Sequence, residues 1–276
     1  MNKRNTAIIL PIVITLVIFS CKKQHVRDFS PQRNFDALWE ILDRKYCFFE
    51  EKNIDWQEVK ALYQPKIATV GTQLDMFDLF AAMLDTLQDG HVNLYSQFDV
   101  SRCRGWFENY PANFDDRLIY TARYLGNNYR IGGGFQYKAI ADGKVGYIRY
   151  SSFSNGISAS SLKYIESIFR NCKGIIIDIR NNGGGSIGYS EEFASIFMKE
   201  STLTSYIRHK TGMGHSDFSE AQPIYTHRHN SIDWSNKRVI VLVNRRCYSA
   251  TNDFVCRVKN APNVTILGGK TGGGGG

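Results

Sequence analysis

Ser249 follows an apolar, β-branched run, Val239 to Val243, and a polar turn, Asn244 to Tyr248, and it opens a stretch of helical character from Ala250 to Lys259. A serine at a strand-to-helix turn presents its hydroxyl beside the free amides of the helix start. Acyl-transfer enzymes use that placement because the attacked carbonyl then lies against donors for its developing oxyanion. Serine is equally a common helix cap, and the local pattern does not separate the two readings. A second stretch, Asp178-Ile179-Arg180-Asn181-Asn182-Gly183-Gly184-Gly185, follows another apolar run. Its glycines let the backbone approach a ligand and turn N–H groups outward as an anion nest. A plain glycine-rich turn would read the same way, and a nucleotide cradle is poorly supported without a Walker lysine or a GxGxxG. The third candidate is Asp89-Gly90-His91. An imidazole titrates at roughly 6.5 and can carry a proton near neutral pH, although a lone histidine is more often packed or solvent-facing.

The elements that must position these residues follow from periodicity. Phe35, Leu38, Trp39, Leu42 and Tyr46 recur at helical spacing; Asp55 caps a second helix with Trp56, Val59 and Leu62; a third runs from Leu74 to Leu87. After Gly90 the period changes to alternation over 91–95, a strand signature. Further strands are expected at Leu118–Leu125, Phe135–Ile140, Val145–Tyr150, Gly174–Ile179, Leu203–Arg208, 238–243 and Val264–Leu267. Helices are expected at Ser158–Phe169, Tyr189–Lys199 and after Ser249, and a polar insertion with His215, His227 and His229 spans 211–236. Buried strands separated by helices specify an α/β fold with a mostly parallel sheet and active loops at strand ends.

The N-terminus reads as an address. Lys3 and Arg4 precede an apolar stretch from Ala7 to Phe19, then Ser20-Cys21 and Lys22-Lys23. This is a secretory signal rather than a membrane span, and Cys21 after a small residue resembles a bacterial lipoprotein box, implying cleavage before Cys21 and lipidation of its thiol. An uncleaved anchor or an ordinary signal peptide are the alternatives. Residues 21–33 form a tether, and the remainder is placed outside the cytoplasm, attached to a bacterial membrane. The charge is +8, or +6 without Lys3 and Arg4, and the basic residues are scattered. That argues against nucleic acid as a partner. The cysteines beyond Cys21 number five and form no CxxC, so a metal site is unsupported; Cys247 and Cys256 either pair or remain free thiols.

Taken together, Leu87-x-Asp89-Gly90-His91, the strand with Asn181-Asn182-Gly183-Gly184-Gly185, and the strand with Asn244-Arg245 leading to Ser249-Ala250 resemble the carboxyl-terminal processing, or tail-specific, serine peptidases. The closer branch contains the tricorn core and the interphotoreceptor retinoid-binding modules. The resemblance covers roughly residues 34–276. It implies a crotonase/ClpP-like α/β core at 91–276, preceded by a small helical subdomain at 34–90. It assigns Ser249 as nucleophile, with the Ala250 amide and that of Gly184 or Gly185 as oxyanion donors, and it requires no cofactor and no metal. Lysine-dependent relatives carry their base where this chain has Gly274, so the base is His91. That branch also places a serine where this chain has Gly90, and an orienting acid downstream of Gly276, which makes the chain a fragment of expected low activity. Only about 45 residues separate Ser96 from Ala141, too few for a PDZ module. The expected function is hydrolysis of extracytoplasmic peptides or unfolded proteins. The alternatives are an inactive module binding peptides or hydrophobic ligands on the same fold, and acyl-thioester chemistry, against which the secretory address counts.

Overall fold

The computed structural model describes residues 30–275; the signal, Cys21 and most of the tether lie outside the described residues. Three helices come first: α1 (Pro31–Lys45), α2 (Trp56–Tyr63) and α3 (Gln73–Asp85). Each has a local start signal. Ser30 caps α1 ahead of Pro31, Asp55 accepts from the Gln57 and Glu58 amides at α2, and Thr72 and Asp75 form a reciprocal capping box at α3. Their apolar faces close a cluster of their own around Phe35, Trp39, Phe49, Trp56 and Met83. Trp39 and Trp56 stack, with ring centroids 6.5 Å apart, and each indole N–H donates to the other's backbone carbonyl at 3.1 Å. Burial therefore leaves neither polar handle unsatisfied.

The connection to the sheet contains α4 (Gly105–Glu108) and a 3₁₀ turn at Asp116–Tyr120. Here two expectations fail. Residues 118–125 form turns rather than a strand: the Asp115 carboxylate accepts the Arg117 amide at 2.9 Å and starts a tight helical turn. Residues 91–95 alternate but have no ladder partner beyond an isolated bridge at Tyr95. Val92 and Leu94 instead pack on the helical cluster. The alternation records a two-faced extended segment, and by packing His91 belongs with the helices.

The second cluster is built on a six-stranded sheet. Its strands are β1 (Arg130–Gly132), β2 (Phe135–Ile140), β3 (Val145–Tyr150), β4 (Gly174–Asp178), β7 (Arg238–Val243) and β8 (Val264–Gly268), adjacent in that order. The first three run antiparallel, and β3, β4, β7 and β8 are mutually parallel. Between them lie α5 (Ala159–Ile168), α6 (Ile187–Ser195), a separate hairpin of β5 (Thr202–Ile207) and β6 (Gln222–Thr226), and α7 (Ala250–Val258). Phe153, Phe193, Phe197 and Phe254 interlock between α6 and α7. The β5–β6 region reaches back to the helices, where His215 meets Asp43 at 3.0 Å and packs on Phe49. His227 pairs with Ser201 and His229 with Glu192, so the three insertion histidines have separate partners. Among the described residues no group of three or more His, Cys, Asp or Glu side chains is placed to hold a metal ion, and no helix is long and apolar enough to cross a membrane.

Candidate active site

Ser249 sits at the N-cap position of α7, but its side chain makes no capping hydrogen bond. Its backbone lies at φ 55°, ψ −125°, a region that costs a non-glycine residue about 1–3 kcal/mol and persists only where its surroundings impose it. Those surroundings are specific. The Tyr248 amide donates to Asn182 O (3.2 Å), the Ser249 amide to Gly273 O (2.8 Å) and the Gly272 amide to Cys247 O (2.8 Å). The Cys247 thiol, buried and pushed up to about 11 by that burial, donates to Ile179 O (3.1 Å). Arg245 reaches Trp106 O and Thr271 O. The strained turn is thus clamped between the Asn181–Gly185 loop and the 271–275 segment, and its hydroxyl is free.

That hydroxyl meets the histidine. His91 Nε2 lies 3.2 Å from Ser249 Oγ. His91 hangs on the extended segment after α3, with its side chain 48% exposed. Its amide donates to Asp89 Oδ1 at 2.9 Å, an Asx-type turn that fixes where the ring starts. Asp89 is buried, and among the described residues it is the carboxylate beside the ring, at 4.0 Å from Nδ1. Tyr248 stands between the two: its hydroxyl is 3.3 Å from His91 Nδ1 and 3.4 Å from Asp89 Oδ1. Tyr46 donates to Asp89 Oδ2 at 2.8 Å. Burial, with the Asp89 charge and hydrogen bond added, raises the Tyr248 phenol well above the ordinary tyrosine range, and burial with the Asp89 bond does the same for Tyr46.

The glycine loop lies against the serine. A Cβ on Gly184 would fall 2.7 Å from Tyr248 O, 2.8 Å from Ser249 Cβ and 3.0 Å from Ala250 N, and its φ is +104°. Only glycine allows this approach. The loop is organised by Asn182, fully buried: its Oδ1 accepts the Gly184 amide (3.0 Å) and the Thr251 hydroxyl (2.7 Å), and its Nδ2 donates to Tyr150 O (3.0 Å). The Gly184 amide is therefore committed within the loop, which corrects its expected availability as an oxyanion donor. Gly185, at φ +144°, has no such bond among the described residues, and neither has the first-turn amide of Ala250. Below the loop, buried Asp178 accepts from Tyr147 and Arg180, with Arg149 at 3.6 Å.

Of the expected site residues, Ser249, His91, Ala250, Gly184 and Gly185 converge here, and Cys21 lies outside the described residues. Cys247 and Cys256 are separate free thiols. Gly274 borders the site, and a Cβ there would lie 2.4 Å from the Tyr248 ring. Asp89 and Asn182 lie inside the motifs that the sequence singles out, but the sequence assigns no role at the site to them, to Tyr248 or to Tyr46. Asp89 and Tyr248 sit two and one residues from the expected pair, and that adjacency is the signal that could have found them. A cleft of about 480 Å³ opens beside the serine turn, between residues 107–116 and the Asn181 and Asn244–Arg246 loops.

Residues 144–276 match Peptidase family S41, and residues 30–85 match the Tricorn protease C1 domain. A crystal structure of a candidate peptidase from Parabacteroides merdae is 45% identical, covering 90% of this chain and 78% of its own, with a TM-score of 0.85. Mature CPAF in complex with lactacystin shares the fold at 13% identity, covering 89% and 85% of the two chains, with a TM-score of 0.61. The chloroplastic C-terminal processing peptidase of Tetradesmus obliquus is 30% identical over 129 residues, 46% of this chain, and the chain spans about a quarter (26%) of that curated relative.

Proposed function

Because the chain belongs to peptidase family S41, we propose that it is a serine endopeptidase using Ser249 as nucleophile and His91 as general base. Its substrates are peptides or unfolded proteins outside the cytoplasm. The observation that carries this reading is the Ser249 hydroxyl, released from capping by a strained backbone and held 3.2 Å from His91 Nε2. In the first step His91 takes the hydroxyl proton as Oγ attacks the scissile carbonyl carbon. The carbonyl oxygen becomes an oxyanion and is met by the amides of Ala250 and Gly185. His91 then returns the proton to the leaving amine, leaving an acyl-serine ester. A water, deprotonated by the same imidazole, releases the acid and regenerates the hydroxyl.

Backbone pairing of an extended substrate to a strand edge would confer loose sequence preference. The organisation is a helical subdomain at 34–90 and a core at 91–276 whose first residues, 91–95, pack back on the helices, attached to a bacterial membrane by lipid on Cys21. Neither metal, cofactor nor nucleic acid has a part in it.

The test uses the full-length protein, a fluorophosphonate probe and an unfolded protein substrate. Wild type should label at Ser249 and cleave; Ser249→Ala should do neither, and His91→Ala should lose at least 100-fold in both rates. Labelling that survives in both variants, or a wild type that binds peptide but neither labels nor cleaves, defeats the peptidase reading, and the latter outcome favours a binding module. Metabolic incorporation of a fatty acid that disappears in Cys21→Ala tests the anchor.

A further inference from the structure

The reaction above leaves one question open, which is what holds the His91 ring in the tautomer that can accept from Ser249. A base must present a bare Nε2, so Nδ1 must carry the proton and give it a partner. Asp89 Oδ1, at 4.0 Å, is too far to be that partner directly. The Tyr248 hydroxyl, 3.3 Å from Nδ1 and 3.4 Å from Asp89 Oδ1, is placed to serve both.

Resting on the peptidase reading, we propose that Tyr248 is the positioning residue for His91, relaying the charge of Asp89 to Nδ1 through its hydroxyl. The donors and acceptors match along the whole line. Ser249 O–H donates to Nε2, Nδ1–H donates to the Tyr248 oxygen, and the Tyr248 O–H donates to Asp89 Oδ1. Tyr46 O–H occupies the other carboxylate oxygen at 2.8 Å. With both its oxygens engaged and its burial nearly complete, Asp89 is a fixed negative charge behind the ring. When His91 becomes an imidazolium during attack, that charge stabilises it and the tyrosine keeps its own proton.

The surroundings are built for this phenol rather than merely tolerating it. Its ring is sandwiched between Trp106, stacked at 4.2 Å, and the His91 imidazole at 4.8 Å. Two glycines make room for it. A Cβ on Gly90 would fall 2.6 Å from Trp106 Nε1 and 3.2 Å from the Tyr248 hydroxyl, and one on Gly274 would overlap the Tyr248 ring. The backbone of Tyr248 is fixed by the Asn182 carbonyl, and the next residue is the nucleophile itself. One turn therefore sets the nucleophile and the support of its base together.

The groups that face the imidazole or its tyrosine are Ser249 in front, Tyr248 and Asp89 behind, Tyr46 beyond Asp89, and the Cys103 thiol near Tyr248. In the full-length protein, Tyr248→Phe keeps the stacked ring and removes only the hydroxyl. It should lower kcat by about 10- to 100-fold with KM little changed. Asp89→Asn should lower kcat at least as much, again with KM little changed, because the carboxylate behind Tyr248 is lost. Asp89→Glu should recover part of the rate, and Tyr46→Phe should have a smaller effect of the same sign. If Tyr248→Phe and Asp89→Asn both turn over at the wild-type rate, while Ser249→Ala and His91→Ala are dead, the peptidase reading stands and this role for Tyr248 is overturned. If Asp89→Asn unfolds, Tyr248→Phe alone decides, since its ring contacts are preserved. Activity surviving in Ser249→Ala and His91→Ala would instead remove the premise.

Discussion

The two halves of the candidate site are held in place by different kinds of structure. Ser249 is positioned locally: a strained turn between β7 and α7, pinned by backbone hydrogen bonds to Asn182 and Gly273 and by a glycine loop so close that a Cβ on Gly184 would fall less than 3 Å from Tyr248 O and Ser249 Cβ. His91 is positioned at a distance. It sits on an irregular segment whose apolar residues pack on the helical cluster, and its ring is half exposed. The nucleophile is thus a property of one loop system. The base is a property of how two apolar clusters dock.

The largest expected loss comes from disturbing the local half. Gly184→Ala forces a methyl group into Tyr248 O, Ser249 Cβ and Ala250 N at a backbone angle alanine resists. Activity and probe labelling should fall by 10² to 10³-fold, in line with the loss of an oxyanion site. A variant that labels at the wild-type rate would show that the loop does not depend on that approach. Next comes the distant half. Trp56→Ala removes a buried ring and its own indole bond to Trp39 O, while the carbonyl of residue 56 can still accept from Trp39, and it should cost about 3–5 kcal/mol in the helical cluster. Labelling should fall while hydrogen exchange in β3, β4 and β7 stays slow; equal deprotection of helices and sheet would mean the clusters unfold as one. The smallest effect concerns thiols. Burial pushes Cys103 and Cys247 up to about 11, which favours the neutral thiol. At pH 8 only about 0.1% of such a group is thiolate, so both should alkylate far more slowly than half-buried Cys47, as mass spectrometry would resolve. Rapid modification of Cys247 would mean that the serine turn opens.

Much of this was legible along the chain. The apolar runs at 145–150, 174–178 and 238–243 became parallel neighbours, separated in the chain by helices. The glycines at 184 and 185 adopt positive φ values, and the loop that their clustering marks lies against the serine. The errors arose where a pattern lacked its partner. Residues 91–95 alternate without a ladder, and at 115–120 a single aspartate cap outweighed an apolar run. Tyr248 and Asp89 read as an ordinary aromatic and a turn residue, since nothing in sequence joins positions 159 residues apart.

The sequence by itself determined most of the elements, the serine turn and the glycine loop, because each depends on backbone preferences and contacts within a few residues. Only the tertiary structure decided that Ser249 is not a helix cap, that the Gly184 amide is already taken, and that a tyrosine and a buried aspartate stand behind His91. The first two outcomes depend on how the Asn182 and Gly273 loops meet the serine turn, and the third on the docking of the helical cluster against the sheet, where distances of 3 to 4 Å are set by packing across chain separations that no local preference encodes.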